Sequence, residues 1–242
     1  MAYKKTDYEK MLTFNSVLSW VHSLRYRETV KILKRSFGKK RITVWEVGCA
    51  HAQLFETLSA YFEIDYYAIE RDANFCQEAF NRYGSHPNFH IINGSGADPV
   101  CYKNFPDPDV IVSLETFEHM PNQEVLKTLD IIAKSTPTLF LCSVPVEIGP
   151  AVLFKNLASF FFRYHRHRAY SWKETLWAAA YRLDKLPPHA CQHKGFDWRI
   201  LLSQIKEKMP VVCAKTLPFN ILPAAISNSI FMVATQSSSD SR

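Results

Sequence analysis

The sequence predicts an α/β protein whose centre is a doubly wound, mostly parallel sheet. From residue 42 to residue 144, short β-branched or aromatic runs alternate with segments of helical spacing, the order that right-handed crossovers produce. The run Ile42 to Val47 has the content of a buried parallel strand, and Gly48 falls where such a strand turns sharply into a helix. A second short strand then closes on a carboxylate, Glu70, 22 residues beyond Gly48.

Each element follows from its own pattern. Residues 7 to 37 have helical spacing, with Met11, Phe14, Val17, Leu18, Val21 and Leu24 able to share a face and Gly38 as the stop. Residues 1–40 therefore form a helical prelude. The core, 41–150, takes strands at Ile42–Val47, Tyr66–Glu70, Phe89–Ile92, Val110–Leu114 and Thr138–Val144, with helices at Gln53–Phe62, Ala73–Tyr83 and Glu124–Ala133. After Pro145 the alternation breaks, and residues 151–194 read as an insert of aromatic, basic helices after the fifth strand, a lid for a substrate. Residues 195–236 close the chain with a helix at Trp198–Lys206 and β-rich runs at Val211–Phe219 and Ser229–Thr235. The serine-rich tail, 237–242, is expected to be disordered. A chain of 242 residues with 47% hydrophobic content suits one decorated domain.

Composition narrows the setting. The six cysteines (Cys49, Cys76, Cys101, Cys142, Cys191, Cys213) include no C-x-x-C pair, which argues against a zinc ribbon or a disulfide framework and fits a reducing cytoplasm. The first seven residues lack the apolar core of a signal peptide, and the most apolar stretch, Ala151 to Phe162, is interrupted by Lys155 and Asn156, so no transmembrane segment is expected. Charge is concentrated. Residues 151–194 hold eight lysines and arginines against Glu174 and Asp184, a net of +6 that equals the formal charge of the whole chain.

In an open α/β sheet a ligand lies beyond the carboxyl ends of the strands, which selects Glu46, Gly48, Glu70, the loop Asn93-Gly94-Ser95-Gly96 and Leu114-Glu115. An acid at the position of Glu70 is spaced to meet ribose hydroxyls. The stretch Thr43-Val44-Trp45-Glu46-Val47-Gly48-Cys49-Ala50-His51-Ala52, with Tyr66 to Glu70 behind it, resembles the first two motifs of class I S-adenosylmethionine-dependent methyltransferases. The run Asp109 to Pro121 resembles the fourth strand and following helix of the branch containing the ubiquinone-pathway O-methyltransferases. The resemblance covers residues 40 to 150 well and the rest loosely. It implies a Rossmann-like fold with a terminal antiparallel strand and S-adenosylmethionine as cofactor. It places Glu46 and Gly48 at the methionine portion, Glu70 at the ribose, and Ser95 and Gly96 near the adenine, and adds Ala50, Arg71, Leu114 and Glu115 to the cofactor-binding set. Whether Ser95 or Asp98 takes the part of the acid common in that last loop stays open. One departure stands out: alanines occupy positions 50 and 52 where the family usually has glycine, so a turn requiring positive φ there would be strained.

A second constellation joins Glu115 at a strand tip with Glu118 and His119, at offsets of three and four residues that share a helix face, and with His193 far downstream. This pattern is similar to the metal site of the small-RNA 3′-terminal 2′-O-methyltransferases. It implies a divalent metal held by Glu115, Glu118, His119 and His193; manganese, iron or zinc would suit two carboxylates and two imidazoles better than magnesium. The alternatives are an acid cluster that caps the helix, or His119 and His193 as metal-free catalytic bases. In the insert, Phe154, Phe160, Phe161, Phe162, Tyr164, Tyr170, Trp172 and Trp177 are expected to be core of an amphipathic layer. Arg163-Tyr164-His165-Arg166-His167-Arg168 is either a solvated face or a contact for an anionic acceptor, a peripheral membrane surface or RNA. The expected activity is O-methylation of a polar or anionic acceptor such as a glycan or small metabolite. The alternatives are a metal-dependent RNA 2′-O-methyltransferase and a non-catalytic binding protein that keeps the fold.

Overall fold

The computed structural model describes residues 16–161, 170–189, 193–218 and 220–235. The start of the expected prelude, the run Arg163 to Arg168 and the tail 237–242 lie outside the described residues. A seven-stranded sheet forms the centre, with strands β1 (Ile42–Val47), β2 (Ile64–Glu70), β3 (Phe89–Asn93), β4 (Val110–Leu114), β5 (Leu139–Pro145), β6 (Val211–Leu217) and β7 (Ser229–Thr235). Their spatial order is β3-β2-β1-β4-β5-β7-β6; β1 to β5 are parallel, while β7 runs antiparallel to both β5 and β6. The chain leaves β1 outward through β2 and β3, then returns to place β4 on β1's other side. This reversal makes the gap between the ends of β1 and β4 the topological switch point, where α/β sheets open a ligand crevice.

Helices α1 (Ser16–Phe37), α2 (Gln53–Ser59), α3 (Ala73–Tyr83), α4 (Asn122–Lys134), α5 (Ala151–Phe161), α6 (Trp172–Ala179) and α7 (Trp198–Lys208) complete the described fold. Alternation along β1 divides the core. Ile42 and Val44 pack with Val30 and Leu33 of α1 and Leu54 and Leu58 of α2, whereas Trp45 and Val47 face the other layer with Leu129 of α4 and Leu201 of α7. At its far edge α1 is tied to β6 by Glu28 and Lys215.

Several boundaries move for local reasons. Helix α2 ends at Ser59 rather than Phe62, because Tyr61 and Phe62 both donate their backbone N–H to the Leu58 carbonyl and the chain swings into β2 at Ile64. Gly38 does stop α1, in left-handed geometry with φ +63°. The expected helix after β4 is a larger correction. Glu115 has a left-handed φ of +56°, and Phe117–His119 form a single 3-10 turn before α4 begins at Asn122. Glu115 stands outside that turn, so offsets of three and four no longer put it on one helical face with Glu118 and His119.

Helices α5 and α6 pack as a pair on a small cluster of Val152, Tyr170, Ala178 and Leu186. Ser171 and Glu174 close a reciprocal capping box that starts α6. Among the described residues no helix is long and apolar enough to cross a membrane.

Candidate active site

The turn after β1 is built from three left-handed residues and two hydroxyl hydrogen bonds from β4 and the residues after it. Gly48 has φ +76°, and a Cβ on it would lie 2.3 Å from Thr116 Cγ2, so only glycine fits. Ala50 and Ala52 have φ +46° and +54°, so the loop keeps a glycine-type conformation with alanines in it. Each alanine costs about 1 kcal/mol of backbone strain. Thr116 and Ser113 donate their hydroxyls to the Val47 carbonyl at 3.2 and 3.1 Å, which pins the β1 turn to the end of β4.

Glu70, at the tip of β2, is buried and spans this turn. Oε2 accepts the Ala50 N–H at 2.7 Å and Oε1 the Asp72 N–H at 2.8 Å. A carboxylate has about four acceptor sites, so capacity for two hydroxyls remains. Glu70 therefore carries the loop as well as lying at the switch point. Glu46, one residue before the end of β1, is fully buried and accepts a hydrogen bond from Tyr66 of β2. Burial pushes its pKa up to about 8 against the pull of that hydrogen bond.

The other residues expected on the cofactor side divide. Arg71 turns its guanidinium onto Glu124 of α4 with two contacts, 3.0 and 3.1 Å, rather than over the crevice. Ser95 accepts the Ala97 N–H at 3.2 Å, and Asp98 caps the turn Pro99–Tyr102 through Val100 N–H. A Cβ on Gly96 would meet Val47 Cγ1 at 2.5 Å, so the β3 loop packs tightly against β1. Leu114 is buried at the switch point.

Beyond β4 and β5 the groups are mainly acids and imidazoles. The rings of His119 and His193 approach to 5.0 Å between centroids, although 74 residues separate them in the chain. Both are half exposed. Glu118 is fully buried, with Oε1 3.8 Å from His119 Nε2 and neither oxygen hydrogen-bonded to another residue. Glu115 accepts a hydrogen bond from Ser143 Oγ at 3.2 Å. Burial raises the pKa of Glu115, while the charges of Arg25 and Lys155 act the other way. For Glu118 burial and then the Glu115 charge push the pKa well above the usual carboxylate range. The four expected ligands gather, but among the described residues no three His, Cys, Asp or Glu side chains are placed to hold a metal ion. The 3-10 turn explains this: it sends Glu118 into the core and His119 to the mouth.

Four participants were missed by sequence reading. Glu147 is fully buried two residues past β5, 3.6 Å from both His193 Nδ1 and Lys155 Nζ. Lys155 also donates to the carbonyls of Val146 and Asn228, at 2.9 and 2.7 Å. Tyr26 of α1 donates to Gln53 at the head of α2, at 3.1 Å, and Arg25 beside it places a cation in the field of Glu46, Glu115 and Glu118. Glu147 and Lys155 each left a signal, as a charge inside an apolar run, Val144 to Ile148 and Ala151 to Phe162. A cleft of about 490 Å³ lies elsewhere, outside edge strand β3 between Phe80, His86 and Phe105, and it contains none of the expected site residues.

No protein-family model matches the chain, and no curated protein matches it in sequence. Solved structures match it in fold. The methyltransferase domain of bacterial CtHen1-C superposes with a TM-score of 0.62 at 15% identity, covering 89% of this chain and 98% of that one. The magnesium protoporphyrin IX methyltransferase ChlM from Synechocystis PCC 6803, with bound SAH, gives 0.57 at 14% identity, covering 98% and 90%. The N-methyltransferase NodS from Bradyrhizobium japonicum WM9 gives 0.54 at 12% identity, covering 88% and 96%. The chain has the fold of class I methyltransferases. At these identities the likeness concerns the fold.

Proposed function

We propose that this protein is an S-adenosylmethionine-dependent methyltransferase acting on a hydroxyl of a polar or anionic acceptor, such as a glycan or small metabolite. The observation that carries the reading is the backbone geometry at the switch point between β1 and β4. Gly48 is held under Thr116 there, and the Glu70 carboxylate braces the β1 turn with acceptor capacity to spare. The structural neighbours ChlM and NodS have been solved with SAH, which supports the same cofactor here. Methyl transfer is an in-line displacement, so the protein's work is to align two reactants and accept the acceptor's proton. His119 and His193, half exposed and 5.0 Å apart between ring centroids, would take that proton, with Glu147 3.6 Å from His193 Nδ1 as the acid that would stabilise an imidazolium. Incubation with methyl-labelled S-adenosylmethionine and a panel of hydroxylated acceptors tests the reading. Label should pass to a hydroxyl and be lost in His119→Ala; transfer unchanged in both His119→Ala and His193→Ala would exclude the imidazoles as bases.

A metal-dependent version has one observation in its favour. Both oxygens of Glu118 are buried without a hydrogen bond to another residue, which is costly for an acid and is relieved if the carboxylate turns toward a cation shared with Glu115, His119 and His193. A divalent ion there would lower the pKa of a bound hydroxyl. Activity abolished by chelator and restored by manganese would select this version, and activity that survives chelation would remove it. An RNA acceptor would require RNA binding that weakens steeply with salt.

A further inference from the structure

We propose that His51 is a positioning residue for the cofactor turn, clamping the chain after β1 to α3 through Phe75 and Glu78. The proposal deepens the cofactor reading above and rests on it only for the binding half of its test. Two ordinary means of fixing such a turn are missing. Ala50 and Ala52 stand at left-handed φ of +46° and +54°, where glycine would carry no penalty. Ala52 is also the N-cap of α2 and makes no side-chain capping hydrogen bond, so the helix start is not fixed from within. A turn strained at two positions and uncapped keeps one conformation only when its surroundings hold it there.

Glu70 supplies one hold, by accepting the Ala50 N–H. His51, between the two strained alanines, supplies the other: its side chain turns inward and is only 4% exposed. The ring meets Phe75 edge-on, with centroids 4.7 Å apart and planes at 62°, and Nδ1 lies 3.0 Å from Glu78 Oε2. Phe75 and Glu78 are three residues apart on α3, so one helix face receives the ring. Among the described residues neither ring nitrogen has a hydrogen bond, which leaves the close contact with the Glu78 carboxylate as the polar partner of the imidazole. The helix that receives it is itself fixed. Asp72 caps α3 by accepting the Asn74 and Phe75 N–H groups, and Tyr83 at its far end donates to Glu56 of α2 at 2.8 Å. Both holds therefore reach the turn from the same β2–α3 segment. If packing were the only need, an apolar side chain would fill this space at lower cost than a buried imidazole. The carboxylate adds direction, and a pair of left-handed alanines needs direction. Released from Glu78, residues 50–52 would relax toward right-handed φ and turn the Ala50 N–H away from Glu70.

The test joins amide hydrogen exchange of the ligand-free full chain, read on peptides covering the turn, with calorimetric titration by S-adenosylmethionine. His51→Ala should speed exchange in the turn at least about tenfold and weaken S-adenosylmethionine binding at least about tenfold. In an Ala50→Gly, Ala52→Gly background the same substitution should change each by less than about threefold, because glycine holds the left-handed conformation without the clamp. A histidine that only fills the core would lower the melting temperature equally in both backgrounds and leave affinity unmoved. Glu78→Gln removes the carboxylate with the ring still in place and should shift exchange and affinity in the same direction, so the test stands even if His51→Ala does not fold. Turn exchange unchanged in both variants, or changed as much in the glycine background, would overturn the proposal, as would wild-type affinity for S-adenosylmethionine in both. Exchange that responds as expected in a chain that binds no S-adenosylmethionine would support the clamp and remove the cofactor reading.

Discussion

At the ends of β1 and β2 each acid of the crevice is held by a hydrogen bond, whereas at the ends of β4 and β5 the acids are buried with few. Glu70 accepts two backbone N–H groups and Glu46 accepts the Tyr66 hydroxyl. Across the switch point Glu115 has Ser143, and the Glu118 oxygens have no partner beyond their own residue's backbone amide. The first region is prebuilt and its polar groups are already compensated. The second stores an electrostatic cost that a ligand, a proton or a cation would relieve, as sites selected for function rather than stability do. If so, equivalent deletions on the two sides should change stability with opposite signs.

Replacing Glu70 by alanine should have the largest effect. It strands the N–H groups of Ala50 and Asp72 and removes the proposed ribose acceptor, so S-adenosylmethionine binding should weaken by about 2–3 kcal/mol and stability should fall as well. Calorimetry and thermal melting check both; unchanged values would take Glu70 out of the site. Glu118→Met should instead stabilise the fold by about 1–2 kcal/mol in urea denaturation, because a buried acid without hydrogen bonds to other residues is replaced by an apolar chain of similar volume. A loss of stability there would mean that the acid is compensated, and the contrast between the two regions would collapse.

The pH dependence of Glu46 sharpens the comparison further. Its folded pKa of about 8 lies above the ordinary value of 4.5, so the folded state keeps a proton that the unfolded chain has released. Glu46 should therefore make stability fall as pH rises from 4.5 to about 8 and then level off, a slope absent in Glu46→Gln. Binding of a cationic sulfonium ligand favours the ionised acid, so wild-type affinity should rise as pH passes about 8. The same affinity profile in Glu46→Gln would contradict this assignment. The smallest effect belongs to the β1 turn. Ala50→Gly should stabilise by about 0.5–1 kcal/mol by relieving a left-handed alanine, and a destabilised variant would show that the loop tolerates alanine without strain.

Much of this was legible in the chain. Strands β1, β4 and β7 and helix α3 begin and end at the residues their patterns indicate, because buried apolar runs and the Asp72 cap are local signals. The turn at Glu115 to His119 was not legible, since spacings of three and four suggest an α-helix and nothing local announces a left-handed glutamate. Nor were the aromatics of the insert. Tyr170 is core as expected, but Phe154, Trp172 and Trp177 are exposed, because the contact between α5 and α6 is filled by Val152, Asn156, Thr175 and Ala178. The pairing of Glu46 with Tyr66, 20 residues apart on neighbouring strands, depends on register that one sequence does not display.

Calorimetric titration of the full chain with S-adenosylmethionine at neutral pH tests the central claim most directly, because it asks whether the prebuilt half of the crevice receives the ligand its geometry suits. The expected result is one site of micromolar affinity, lost or sharply weakened in Glu70→Ala. No heat at millimolar ligand, or equal binding by wild type and Glu70→Ala, would contradict it.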